Sequence, residues 1–148
     1  MQKKAGFSLV ELMIVLGIIA ILSAIVTPNI ISWLKGQGLK TAVSELQGNL
    51  QLAKLSSIRQ NQSCTVTFDK GEGSYSIPCA NKNVMLSSYS GGVVFGASTT
   101  DEMTFTSAGI CSFNKSAYLT DQKNSAYYRI QTFNSGGITV SKVDSSSF

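Results

Sequence analysis

Gly6-Phe7-Ser8-Leu9-Val10-Glu11-Leu12-Met13-Ile14-Val15 opens an apolar run that continues unbroken to Val26. Of the 20 residues from Phe7 to Val26, only Ser8, Glu11 and Ser23 carry polar side chains. A helix rises about 1.5 Å per residue, so this run is long enough to cross a hydrocarbon layer of roughly 30 Å. Lys3 and Lys4 stand immediately before it. Basic residues flanking an apolar span are retained on the cytoplasmic side, which sends everything after Val26 outward. Glu11 is the anomaly. A carboxylate inside such a segment costs about 2.5–3.5 kcal/mol on insertion scales. Two readings offset that cost. Glu11 snorkels to the headgroups, or it pairs with the amine that a cut after Gly6 would free on Phe7 of a neighbouring chain.

Beyond the run the chain changes character. Leu39, Val43, Leu46, Leu50 and Ala53 step by three and four, with Ala42 beside them, as on one face of a helix. Lys40, Glu45, Gln47, Asn49, Lys54 and Arg59 flank that stripe, and Leu52 and Leu55 fall off it, which predicts burial on more than one side in the last turns. The pattern reads as one helix from about Phe7 to Gln60, apolar all round in its first half and amphipathic in its second. Pro28 is expected to kink it.

From Ser63 the period becomes two. Cys64, Val66 and Phe68 alternate with Thr65 and Thr67; a turn-forming stretch follows at residues 69–74; Tyr75, Ile77 and Cys79 alternate next. A hairpin centred on that turn places Phe68 opposite Tyr75, Val66 opposite Ile77 and Cys64 opposite Cys79. Further strands are predicted at Val84–Tyr89, Val93–Phe95, Met103–Thr106, Ile110–Phe113, Ala126–Thr132 and Ile138–Val143. Asn134-Ser135-Gly136-Gly137 reads as a turn, and Asn114–Asn124 as a long surface loop.

At 148 residues the chain is an anchor plus one domain. Twelve basic against eight acidic residues give +4, but a cut after Gly6 removes Lys3 and Lys4 and leaves +2. No strongly basic nucleic-acid surface follows from that balance. Histidine is absent, which removes the commonest general base and metal ligand together. Three cysteines are present; in an oxidising compartment the hairpin register favours a Cys64–Cys79 disulfide and leaves Cys111 as a free thiol. Otherwise all three are small buried apolar side chains. Neither zinc nor another cofactor is expected, Asp101-Glu102 reads as a solvated acidic pair rather than a calcium site, and no residue constellation supports catalysis.

Lys3-Lys4-Ala5-Gly6 followed by Phe7-Ser8-Leu9-Val10-Glu11 resembles the type III signal of type IV pilins and type II secretion pseudopilins. The resemblance implies cleavage between Gly6 and Phe7 by prepilin peptidase, N-methylation of Phe7, and a role for Glu11 in subunit register and methylation. An ordinary secretory signal fits worse, since Leu22-Ser23-Ala24 makes a poor cleavage site. Leu50 to Phe68 is similar to the helix-to-first-strand passage of GspH/FimT-type minor pilins and pseudopilins, and Phe105-Thr106-Ser107-Ala108-Gly109 to that group's Phe-x-x-x-Gly strand and turn.

An α+β fold is thereby implied, with the long N-terminal helix packed on a small antiparallel head of two sheets. The expected organisation is a leader at 1–6, a transmembrane and assembly segment at 7–27, an amphipathic half-helix at 28–61 and a periplasmic β-rich head at 62–148. Implied partners are other pilin or pseudopilin subunits, prepilin peptidase and the inner membrane. The usual disulfide-bounded loop near the C-terminus of major pilins is missing, which favours a minor subunit. Some FimT-like minor pilins bind DNA through basic residues late in the head. Here only Lys123, Arg129 and Lys142 stand in the last 30 residues, and no arginine follows Gly136-Gly137, so DNA is a disfavoured partner. A plain single-span anchor carrying a β domain is the other alternative.

Overall fold

The computed structural model describes residues 8–122 and 126–144; within the helix the side chains of residues 24–35 fall outside the description. The described elements are one α-helix, eight strands and two short 3-10 helices, in two compact units, Met1–Leu34 and Lys35–Phe148. Helix α1 runs from Leu9 to Gln60. It stops where Asn61 takes a left-handed conformation, φ 50°, and the Gln62 N–H donates back to the Ser57 carbonyl at 3.1 Å. An asparagine tolerates that conformation better than most residues and closes the last turn. The expected kink at Pro28 lies outside the described side chains.

In the unit Lys35–Phe148, the periodic stripe is the one that is buried: Leu39, Ala42, Val43, Leu46, Leu50 and Ala53 all lie in the core. Their spacing puts them on one helix face, and burying each leucine removes apolar surface worth about 1.5–3 kcal/mol. Leu52 and Leu55 are not enclosed on a second side; they are 39% and 57% exposed. Burial extends beyond the stripe to Asn49, Ser56 and Ser57, while Leu52 and Leu55 lie on the side turned to solvent.

Two antiparallel four-stranded sheets complete that core. The first is ordered β3-β2-β1-β5 and comprises β1 (Cys64–Asp69), β2 (Ser74–Ile77), β3 (Lys82–Met85) and β5 (Glu102–Phe105). Its hairpin register pairs Phe68 with Tyr75 and Thr67 with Ser76, as the alternation predicts. Asp69 organises the turn: its Oδ1 accepts from the N–H groups of Gly71 and Glu72, each at 2.9 Å, an Asx-type turn. The second sheet, ordered β4-β6-β7-β8, comprises β4 (Val93–Phe95), β6 (Lys115–Asp121), β7 (Tyr127–Thr132) and β8 (Ile138–Val143). Gly136, at φ 75°, carries the β7–β8 turn, where the Phe133 and Gly137 backbones are hydrogen-bonded. A left-handed residue there suits glycine alone.

Three expected elements differ. The segment predicted as a surface loop, Asn114–Asn124, contains β6, an inner strand of its sheet with Ala117, Leu119 and Thr120 buried. Ile110–Phe113 is not a strand; it contributes a single bridge, Cys111 to Phe105. Val84–Tyr89 starts earlier as β3 and turns at Leu86–Ser88 into a 3-10 helix.

Candidate functional site

In the unit Met1–Leu34, every large hydrophobic side chain from Leu9 to Leu22 is exposed, from 42% at Val15 to 74% at Leu9. Soluble surfaces rarely leave so long an apolar stretch uncovered, which marks this segment as one that another apolar surface covers. Glu11 lies in the first turn of α1 and is itself exposed, alone among these side chains in carrying charge. Ser23 satisfies its hydroxyl locally, donating to the Ile19 carbonyl at 2.7 Å, so it adds no unmet polar group. Among the described residues no helix is long and apolar enough to cross a membrane. Gly6 and Phe7 lie outside the described residues, as does Lys123.

In the head, Cys64 and Cys79 are disulfide-bonded with Cα atoms 5.8 Å apart, and Cys111 is a buried free thiol beside the Thr132 hydroxyl, at 3.4 Å. Cys79 is not in a strand. The ladder ends at Ile77, and Cys79 falls in the 3-10 turn Pro78–Ala80, so this turn rather than a continued hairpin brings the sulfurs together. The basic candidates do not converge. Arg129 pairs with Ser141 and Lys142 with Tyr128 in the β7–β8 ladder, so Arg129 and Lys142 project from opposite faces of the sheet. Asp101 is paired with the Lys70 ammonium at 2.8 Å, which holds its carboxyl below the usual range, and no three metal-ligating side chains gather among the described residues.

A group that sequence reasoning missed sits between α1 and the first sheet. Glu45 and Asn49, one helical turn apart, meet three side chains from the head. Tyr89 donates its hydroxyl to Glu45 Oε2 at 2.6 Å, and Lys82 approaches Glu45 Oε1 at 3.4 Å. Lys82 also donates to Asn49 Oδ1 at 2.8 Å, while Asn49 Nδ2 donates to the Tyr75 hydroxyl at 2.6 Å. Only the Glu45–Asn49 spacing, one helical turn, is legible in the sequence; Tyr75, Lys82 and Tyr89 come from other elements and no spacing signal links them to it. Burial pushes the Tyr75 phenol up to about 12 and raises Tyr89 as well, with the Glu45 hydrogen bond adding to the effect on Tyr89. The Tyr89 hydroxyl, then the Lys82 ammonium, hold Glu45 below its ordinary value of 4.5 despite some desolvation.

A pH dependence follows. Because the folded carboxyl is the stronger acid, its contribution is complete above the unfolded value and is lost as pH falls through the folded one. The thermal midpoint should therefore drop on acidification through the carboxylate range, and Glu45→Gln should flatten part of that slope. An identical acid slope in the two proteins would contradict the assignment. With both partners' side chains 38% exposed, the effect is expected to be small.

Comparison with known proteins agrees with this architecture. Residues 1–27 match the family described as the prokaryotic N-terminal methylation motif. The chain is 29% identical over 113 residues to the type IV wide pilus major component PilA4 of Thermus thermophilus, covering 69% of this chain and 86% of that one. Its fold is similar to that of the type IV minor pilin FimU of Pseudomonas aeruginosa in two crystal forms. The TM-scores are 0.55 and 0.52 at 16% and 18% identity, and the alignments cover 74% and 70% of this chain and 92% of FimU in each. The N-terminal motif and the fold are thus both similar to those of type IV pilins.

Proposed function

We propose that this pilin-like chain is a minor subunit of a type IV pilus, of the GspH/FimT kind, made as a precursor and cut between Gly6 and Phe7. In this reading prepilin peptidase removes residues 1–6 at the cytoplasmic face and Phe7 becomes the N-methylated terminus. Residues 7–27 hold the subunit in the inner membrane and later pack in the fibre, and residues 28–61 carry the head, 62–148, in the periplasm. The observation that carries it is the exposed apolar helix surface of Leu9–Leu22, interrupted by one acid and lying within the matched motif. Lipid covers that surface before assembly and neighbouring helices cover it afterwards. Exchange between two apolar surroundings is roughly balanced, which leaves a motor to drive extraction.

Intact mass with and without co-expressed prepilin peptidase tests the processing. A peptidase-dependent loss of Met1–Gly6 and gain of one methyl on Phe7 is expected. An uncut chain leaves only a single-span anchor carrying a β domain. Glu11→Ala tests the register role, in which the carboxylate pairs with a neighbour's N-terminal amine. The variant should insert in the membrane normally and fail to enter fibres; normal incorporation would sink the idea.

The same precursor and helix would also serve a type II secretion pseudopilus. The type IV pilus is preferred because both the sequence relative and the structural neighbour carry that description. The position of the disulfide at the start of the head, far from the C-terminus, favours a minor subunit. DNA uptake is the weaker reading, because Arg129 and Lys142 lie on opposite faces of their sheet and so offer no shared cationic surface.

A further inference from the structure

Lys82, Asn49 and Glu45 form an arrangement that goes beyond a hydrogen-bonded clasp. We propose that the Lys82 amine and the Asn49 carboxamide form an intramolecular isopeptide bond, with Glu45 positioning the amine and ammonia as the leaving group. The inference does not depend on the functional reading above.

Four contacts carry it. The Lys82 Nζ lies 2.8 Å from Asn49 Oδ1, in contact with the amide it would attack. Glu45 Oε1 lies 3.4 Å from the same Nζ and lies one helical turn before Asn49, so one carboxylate serves both reactants. The amide is fixed rather than free to rotate: Asn49 is 4% exposed and its Nδ2 is held by the Tyr75 hydroxyl at 2.6 Å. Glu45 in turn is oriented by Tyr89 through its second oxygen, at 2.6 Å. A rotation of the lysine stem brings Nζ from the amide oxygen to the roughly 3–3.5 Å separation from Cγ at which attack begins. Lysine is the residue suited to this, a point amine on a flexible stem; arginine could keep the charge contacts but not acylate.

The step balances with hydroxide from solvent as the one further reactant. Hydroxide takes a proton from the Lys82 ammonium, which Glu45 holds beside the amide, and the neutral amine adds to Asn49 Cγ. The Cγ–Nδ2 bond then breaks as the attacking nitrogen's second proton passes to Nδ2. Ammonia departs, so the products are an amide, ammonia and water, with the Glu45 carboxylate unchanged. The Lys82 and Glu45 side chains, each 38% exposed, leave a path to water for the departing ammonia. Among the described residues, the groups joined at the site are Glu45 and Asn49 from α1, Tyr75 from β2, Lys82 from β3 and Tyr89 from the turn after it. Since the attacking form is the neutral amine, the reaction should accelerate with rising pH.

The bond would tie α1 to β3, the edge strand of its sheet, across 33 residues of chain. Together with the disulfide it would brace the head on its helix against pulling force.

The test is the mass of the full chain in detergent, denatured and reduced, after incubation at about pH 9. Most wild-type molecules should be lighter by one ammonia. Proteolysis should yield one branched peptide joining the segments around Asn49 and Lys82, with no tryptic cut after Lys82. Lys82→Arg should show the full mass and Glu45→Gln a slowed loss. A wild-type chain at full mass, or one cut normally after Lys82, overturns the proposal. So does an ammonia loss that persists in Lys82→Arg, since that would come from ordinary asparagine or glutamine chemistry. Peptide mapping of the wild type decides the matter even if a variant folds poorly.

Discussion

Replacing Cys64 and Cys79 together with alanine is expected to lower the stability of the head by about 3 kcal/mol, the chain-entropy value for a loop of about 15 residues. The two cysteines are 15 residues apart in sequence, and the loop between them holds the whole β1–β2 hairpin. With the bridge present, the unfolded chain cannot separate the start of β1 from the turn at Pro78–Ala80. Without it, that freedom returns to the unfolded state. Cys64 is fully buried among Val66, Phe105 and their neighbours, so truncation to alanine also removes packing atoms from the core. Denaturant titration of oxidised wild type against the double variant checks this. Coincident midpoints would mean that the bridge does not constrain the unfolded chain. Reductant should bring the wild type towards the variant, leaving Cys111, already a free buried thiol, unaffected.

Gly38→Ala should destabilise the head by about 1–3 kcal/mol, the usual cost of forcing an extra methyl into a packed site. The sign is opposite to the ordinary expectation. Glycine inside a helix is normally worse than alanine by about 1 kcal/mol, because it loses more freedom on folding. A Cβ built on Gly38, however, overlaps the backbone carbonyl of Ser90, in the connection leading to β4. A carbonyl in a loop that must enter a sheet cannot swing away as a flexible side-chain end could. Gly48 is the internal control: it is exposed on the same helix and a Cβ there meets nothing within 4 Å. Gly48→Ala should therefore leave the head as stable as wild type or more so, by up to about 1 kcal/mol. If both substitutions stabilise, the close approach of helix and loop at Gly38 is wrong.

Legibility in the sequence followed the period of the hydrophobic pattern. The stripe Leu39–Ala53 and the hairpin around residues 69–74 carry their own geometry, because a helix repeats every 3.6 residues and a strand every two. Both appear in the structure with the expected faces and register. The strand β6 was masked by its flanks. Asn114, Lys115, Asp121 and Gln122 are turn-like or charged, and the inward residues Ala117 and Leu119 are too few to announce an inner strand. Pairing with β4 and β7 on both sides makes the strand, and that pairing is non-local. Leu52 and Leu55 misled for a related reason. Apolarity marks a residue as able to be buried, and whether a second surface arrives to bury it depends on how the sheets are placed.

What the sequence determined by itself was the long helix, the change from an all-round apolar segment to a one-sided stripe, the antiparallel hairpin and the motif at Gly6–Glu11. Each rests on local order along the chain, where spacing alone dictates which side chains share a face. Only the tertiary structure decided the strand order of the two sheets, the contact between Gly38 and the Ser90 carbonyl, and the meeting of Glu45 and Asn49 with Tyr75, Lys82 and Tyr89. Those five side chains are polar residues that, taken one at a time, belong on a solvated surface. They become a site because the helix and the first sheet close on them from separate parts of the chain, and a hydrogen bond between residues 26 to 44 positions apart leaves no trace in local spacing.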